Sequence, residues 1–99
     1  MTMEKIKPLN EHVRLYRDHL INKGMRWDPL RTCLYDILEF HDAMEQKDLL
    51  NVDCREVQRY RKAIRGKHAG RKEKAVREFY DFLLKQGLVR SNPFGGRHG

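Results

Sequence analysis

A catalytic centre needs suitable residue types at suitable spacing, and the histidines, cysteines and carboxylates of this 99-residue chain do not supply them. His12, His19, His41, His68 and His98 form no H-E-x-x-H and no Cys/His group at zinc spacing. Cys33 and Cys54 stand 21 positions apart with no C-x-x-C, which predicts two reduced cysteines serving as small hydrophobes. Gly95-Gly96 has neither the preceding strand nor the following helix of a phosphate-cradling loop. The carboxylate pairs Asp36/Glu39 and Asp42/Glu45 fall on the polar face of a helical pattern, where solvation accounts for them. No nucleophile stands with a base and an orienting acid, so no catalytic residue, metal or cofactor is expected. The chemistry left is that of charge.

Lys and Arg number 21 against 14 Asp and Glu, a formal net charge of +7. Through Leu50 there are 8 basic and 9 acidic residues, net −1; after it there are 13 and 5, net +8. The excess is densest from Arg61 to Lys74, where Arg61, Lys62, Arg65, Lys67, Arg71, Lys72 and Lys74 meet only Glu73. Such a block predicts a polyanionic partner. Arg59, Arg61, Lys62 and Arg65 sit toward the end of a predicted helix, where the macrodipole favours cations by about 0.3–1 kcal/mol each, so stability alone could place them there. Arg71, Lys72 and Lys74 open the next predicted helix, where the same dipole disfavours them. Free N–H groups at a helix start, surrounded by cations, suit a nucleic-acid backbone. Lys67, His68, Arg71 and Lys72 are therefore the first candidate contacts, with Arg65 and Lys74 beside them in the block. Arg77 and Lys85 have Glu73 and Asp81 four residues earlier and can pair with them. Arg26 and Arg31 form a second patch with Trp27 between them, although a lone tryptophan at a helix start is expected to close the edge of the core.

Four helical patterns position these residues. The first runs from Leu9 to Gly24, with Asn10 as N-cap and Val13, Tyr16 and Leu20 on one stripe. The second is predicted to open at Asp28-Pro29 and to carry Leu30, Cys33, Ile37, Phe40 and Met44 as far as about Gln46. Asp53 and Glu56 form a capping-box pattern with Val52 stapled to Val57, so the third starts at Cys54 and buries Val57, Tyr60 and Ile64. After a basic connection, Gly66 to Gly70, the fourth buries Ala75, Val76, Phe79, Phe82 and Leu83 and stops at Gly87, with Leu88 closing back on Leu83. No segment alternates with the period of a strand, so the expected fold is all-α with four helices. The length fits one domain, 9–93, with a tail at 1–8 and a Gly-rich linker or cut end at 94–99. Met1 to Asn10 has no apolar signal core and no stretch is long enough to span a membrane, which predicts a cytoplasmic chain with no membrane partner.

The stretch HAGRKEKAVREFYDFLLKQGLVRSNP, His68 to Pro93, resembles the last helix of the core-binding, SAM-like N-terminal domain of tyrosine recombinases, the phage-integrase family. Ala75, Val76, Phe79, Tyr80, Leu83, Gly87, Leu88 and Asn92-Pro93 stand where that family has like residues, and Asn51-Val52-Asp53 leads into the third helix as its order requires. Glu73 departs from the pattern, which has an apolar residue there. The resemblance implies a bundle of two crossed helical hairpins on one face of duplex DNA, with the second and fourth helices toward the major groove. Its polar and basic positions at the opening of the last helix fall on His68, Arg71 and Lys72. It implies as partners the catalytic domain of the same recombinase and other recombinase protomers on the DNA; the catalytic residues are not in this chain, which is expected to be a fragment or a stand-alone relative rather than an enzyme. The competing readings are a helical protein-interaction module and a stand-alone domain for another nucleic acid, RNA included.

Overall fold

The computed structural model describes residues 10–95, so the predicted tail at 1–8 lies outside them, as do residues 96–99. The described residues are all-helical: α1 (Glu11–Asn22), α2 (Trp27–Ala43), a single 3-10 turn (Leu49–Asn51), α3 (Cys54–Ala63) and α4 (Ala69–Lys85), with no strand among them. None of these helices is long and apolar enough to cross a membrane.

Local signals set most of the ends. The Asn10 side chain accepts from the His12 and Val13 amides at 2.7 and 3.4 Å, satisfying donors that the first turn of α1 leaves open. The capping box at α3 forms as predicted: Asp53 accepts from the Glu56 amide at 2.9 Å and Glu56 from the Asp53 amide at 3.0 Å. α4 closes as predicted, Gly87 taking φ +76° while the Leu88 amide donates to the Leu83 carbonyl at 3.0 Å. Two boundaries differ. α2 starts at Trp27, so Asp28 lies in its first turn rather than at its cap, and the Arg26 cap position makes no side-chain hydrogen bond. At its other end α2 stops at Ala43, because Glu45 and Gln46 take left-handed φ of 59° and 58° and turn the chain toward α3.

One core gathers the predicted stripes: Val13, Tyr16 and Leu20 of α1, Leu30, Ile37 and Phe40 of α2, Val57 and Tyr60 of α3, and Val76, Phe79 and Leu83 of α4. α2 packs against α4 most closely and against α1 beside it. Met44 and Ile64 are only partly buried at its edge. The Tyr80 hydroxyl donates to the Leu49 carbonyl at 2.7 Å, tying the 3-10 turn to α4. Cys33 is half-buried, whereas Cys54, the first residue of α3, is exposed and does not serve as a buried hydrophobe.

The expected linker at 94–99 is corrected at its first residue. Asn92 donates to the Arg77 carbonyl at 3.0 Å and to Asp81 at 2.9 Å, and its own side-chain oxygen accepts from the Phe94 amide at 2.9 Å. These bonds turn the chain back along α4, and Phe94 enters the core against Phe40, Tyr60 and Tyr80, with ring centroids 5.8–6.5 Å away. Burial of an aromatic ring is worth roughly 1.5–3 kcal/mol. The packed unit therefore reaches Phe94.

Candidate nucleic-acid interface

α3 ends at Ala63, Ile64 leaves it with an extended backbone, and Gly66 at φ +96° reverses the chain, a conformation that a side chain would strain. Residues 64–68 thus form a tight basic junction between two helices. Arg65, Lys67 and His68 are exposed there, as are Lys62 in the last turn of α3 and Lys74 one turn into α4. Among the described residues no carboxylate lies within ion-pair distance of Lys62, Arg65, Lys67 or Lys74. His68 occupies the cap position of α4 without a side-chain cap bond, leaving the opening amides of the helix to other partners.

The next candidates are held differently. Arg71 meets Asp36 of α2 in a two-pronged pair, Nε to Oδ2 at 3.0 Å and Nη2 to Oδ1 at 2.9 Å. The Asp36 side chain is 4% exposed and that of Arg71 45%, so a buried carboxylate grips a half-exposed guanidinium. The bond from Asp36 raises the affinity of Arg71 for its proton. Lys72 reaches Glu39 of α2 at 3.0 Å. Glu73 accepts from Arg61 of α3 through both Nε and Nη2, at 2.9 and 2.6 Å, and from Arg77 at 3.4 Å. The glutamate that departs from the family pattern is thus the anchor between α3 and α4. Arg61 also lies over the Phe94 ring, 5.7 Å from its centroid.

These pairs correct two expectations. Asp36 and Glu39 are not a merely solvated couple: Asp36 is buried, and both hold cations of α4. Arg71 and Lys72 do oppose the dipole at the helix start, yet each is compensated by a carboxylate brought from 35 and 33 positions away. The predicted Glu73–Arg77 pair is present, but Arg61 holds the same oxygen more closely. The Tyr60 hydroxyl is buried with no hydrogen-bond partner among the described residues, and burial, followed by Glu39, Asp36 and Glu73, pushes its pKa up to about 12.

The second predicted patch stands apart. α2 runs antiparallel to α4, since Asp36 and Glu39 meet Arg71 and Lys72 while Met25 lies beside Lys85 and Gln86. Arg26 is therefore about 20 Å along α2 from Glu39 and the junction. Trp27 does not close the core edge; it is 67% exposed, as Tyr35 is at 64% on the same side of the helix. Arg31 lies between them, 3.8 Å from Asp28. The structure joins Arg65, Lys67, His68, Arg71, Lys72 and Lys74 and leaves Arg26 and Arg31 elsewhere. Lys62 belongs to the junction, and its signal was the same uninterrupted basic run.

Nothing at the junction makes a nucleophile or a ligand cage. Among the described residues no three His, Cys, Asp or Glu gather as for a metal ion. Burial, then Asp36 and Glu78, push the Cys33 thiol up to about 11, leaving little thiolate at neutral pH. What the arrangement can do is hold a surface of phosphates. No protein-family model matches the chain, and comparison with curated proteins and with solved structures returns no match.

Proposed function

We propose that this chain binds duplex DNA, with the α3–α4 junction against the phosphate backbone, as a non-catalytic core-binding domain of the tyrosine-recombinase type. The observation that carries the reading is the cluster of exposed cations Lys62, Arg65, Lys67 and Lys74, uncompensated among the described residues, on a chain of net charge +7. Counterion release makes such a cluster bind polyphosphate whatever the base sequence. The resemblance of His68 to Pro93 supports the finer part: two crossed hairpins, and partners that include a catalytic domain and other protomers on the same DNA; a cytoplasmic setting goes with this reading. The alternative, a helical protein-interaction module, draws on the exposed Trp27 and Tyr35.

Titrating a labelled duplex at several salt concentrations separates the two. Four phosphate contacts give a slope of log K against log salt of about −3.6, and Arg65→Ala with Lys67→Ala brings it to about −1.8. A flat slope, or no binding at low salt, overturns the DNA reading in favour of the protein-interaction module.

A further inference from the structure

We propose that Arg71 reads the base edge of a guanine in the major groove and that Asp36 is its positioning residue, an inference that rests on the duplex-binding reading above. A guanidinium carries five N–H donors in a rigid fork. Asp36 takes the Nε hydrogen and one Nη2 hydrogen. Three donors remain, both on Nη1 and the second on Nη2; one hydrogen of Nη1 and that of Nη2 point outward in parallel and form the outer edge that fits a pair of acceptors side by side. The inner edge is turned to a buried carboxylate while the side chain as a whole is 45% exposed, so its accessible part is that outer edge.

Charge decides which pair of acceptors. Arg71 and Asp36 together are formally neutral, and the neighbouring Lys72 is offset by Glu39. A phosphate approaching here meets little net attraction and the negative charge of Asp36 behind the guanidinium. The O6 and N7 atoms of guanine are neutral acceptors spaced for that outer edge, and they lose nothing to the buried carboxylate. Phosphate binding has better donors close by in Lys62, Arg65, Lys67 and Lys74. Holding the fork at two points also removes in advance most of the rotamer freedom that a long side chain loses on binding. A cleft of about 320 Å³ lies beside Arg71, walled by Pro29 and Thr32 of α2 and by Lys74 of α4, and gives the base edge room to approach.

The test is selection of duplexes from a pool with a randomised core, using the whole chain, Arg71→Lys, Arg71→Ala and Asp36→Asn, followed by 7-deazaguanine at the selected position. That base pairs normally but lacks the N7 acceptor. Expected is a fixed guanine for the unmodified protein, with 7-deazaguanine weakening it by roughly tenfold to a hundredfold. Arg71→Lys keeps the charge and loses the fork, so it binds with the same salt slope and no guanine preference. Arg71→Ala is indifferent to the 7-deaza change. Asp36→Asn, checked for helix content by circular dichroism, discriminates less than the unmodified protein. If Asp36→Asn fails to fold, Arg71→Lys decides alone. Salt-dependent binding without a selected guanine, or a guanine preference that survives in Arg71→Lys and Arg71→Ala, overturns the role of Arg71 and leaves duplex binding standing. Absence of binding at low salt overturns duplex binding itself.

Discussion

Two sets of cations share the segment from Arg61 to Lys74, and they serve different ends. Lys62, Arg65, Lys67 and Lys74 are exposed and uncompensated among the described residues. Arg61, Arg71 and Lys72 are each held by a carboxylate from another helix, Glu73, Asp36 and Glu39 in turn. The first set adds to the electrostatic field that draws a polyanion; the second spends its charge on joining α2, α3 and α4. A basic run in a sequence thus overstates the interface it implies. Which cations remain available depends on where folding brings the acids.

The largest effect is expected where the fixed set touches the core. Arg61 lies over Phe94, and Phe94 fills the space among Phe40, Tyr60 and Tyr80. Phe94→Ala should cost about 3–5 kcal/mol by urea denaturation, from the lost transfer energy and the cavity left behind. That is a large share of the roughly 5–15 kcal/mol that holds a domain folded. Arg65→Ala with Lys67→Ala should leave the same denaturation midpoint where it was. A loss below about 1 kcal/mol for Phe94→Ala would mean that the ring is not part of the core, and Glu73 alone would hold Arg61 in the fixed set.

A smaller loss is expected from the Arg71–Asp36 pair, and its reversal is the sharper measurement. Arg71→Ala leaves the buried Asp36 carboxylate without its partner and should lower the midpoint, even though it removes a cation that opposes the helix dipole. Replacing both members, Arg71→Met with Asp36→Leu, removes the stranded charge and fills the site with apolar volume, so it should restore most of the loss. If Arg71→Ala is as stable as the unmodified chain, Arg71 belongs with the loose cations and the division between the two sets fails at that residue.

How far each set was legible follows from the range of the forces involved. Asn10 and the Asp53/Glu56 box could be read because a cap bonds amides two or three residues away. The buried stripes could be read because helical periodicity repeats them. The partners of Arg71 and Lys72 could not, because they depend on the register of α2 against α4 across more than 30 residues. Phe94 escaped notice for a related reason: it is one aromatic residue after Asn92-Pro93, outside any periodic pattern, and it is placed by side-chain bonds of Asn92 to α4. Trp27 misled in the other direction, since its size suggested burial but α2 starts two residues earlier than its Asp-Pro signal and the ring lies outside the core. Exposure of the junction cations needed no tertiary information, because a short run with no apolar period has nothing to bury.

The smallest effect concerns fixed charge at the other end of α3, remote from the loose cations, and it separates the two kinds by pH. Asp53 accepts chiefly from the Glu56 amide; Glu56 accepts from the Asp53 amide and then from Lys47, at 3.0 Å. Each bond favours the ionised carboxylate, so both groups titrate below their ordinary values of 3.8 and 4.5. A carboxylate whose pKa is depressed by folding contributes stability that is complete above its unfolded value and is lost as the pH falls through the folded one. The contribution of the box should therefore be constant down to about pH 5 and decline below it. Asp53→Asn with Glu56→Gln keeps the side-chain oxygens as acceptors but cannot titrate. Its denaturation midpoint should lie below that of the unmodified chain at pH 7, and the gap should narrow on acidification toward pH 3. The loose cations stay protonated throughout this range and add nothing to the slope. Two denaturation curves that remain parallel from pH 7 to pH 3 would show that the charge of the box does not stabilise the fold, leaving its hydrogen bonds as the whole of its effect on α3.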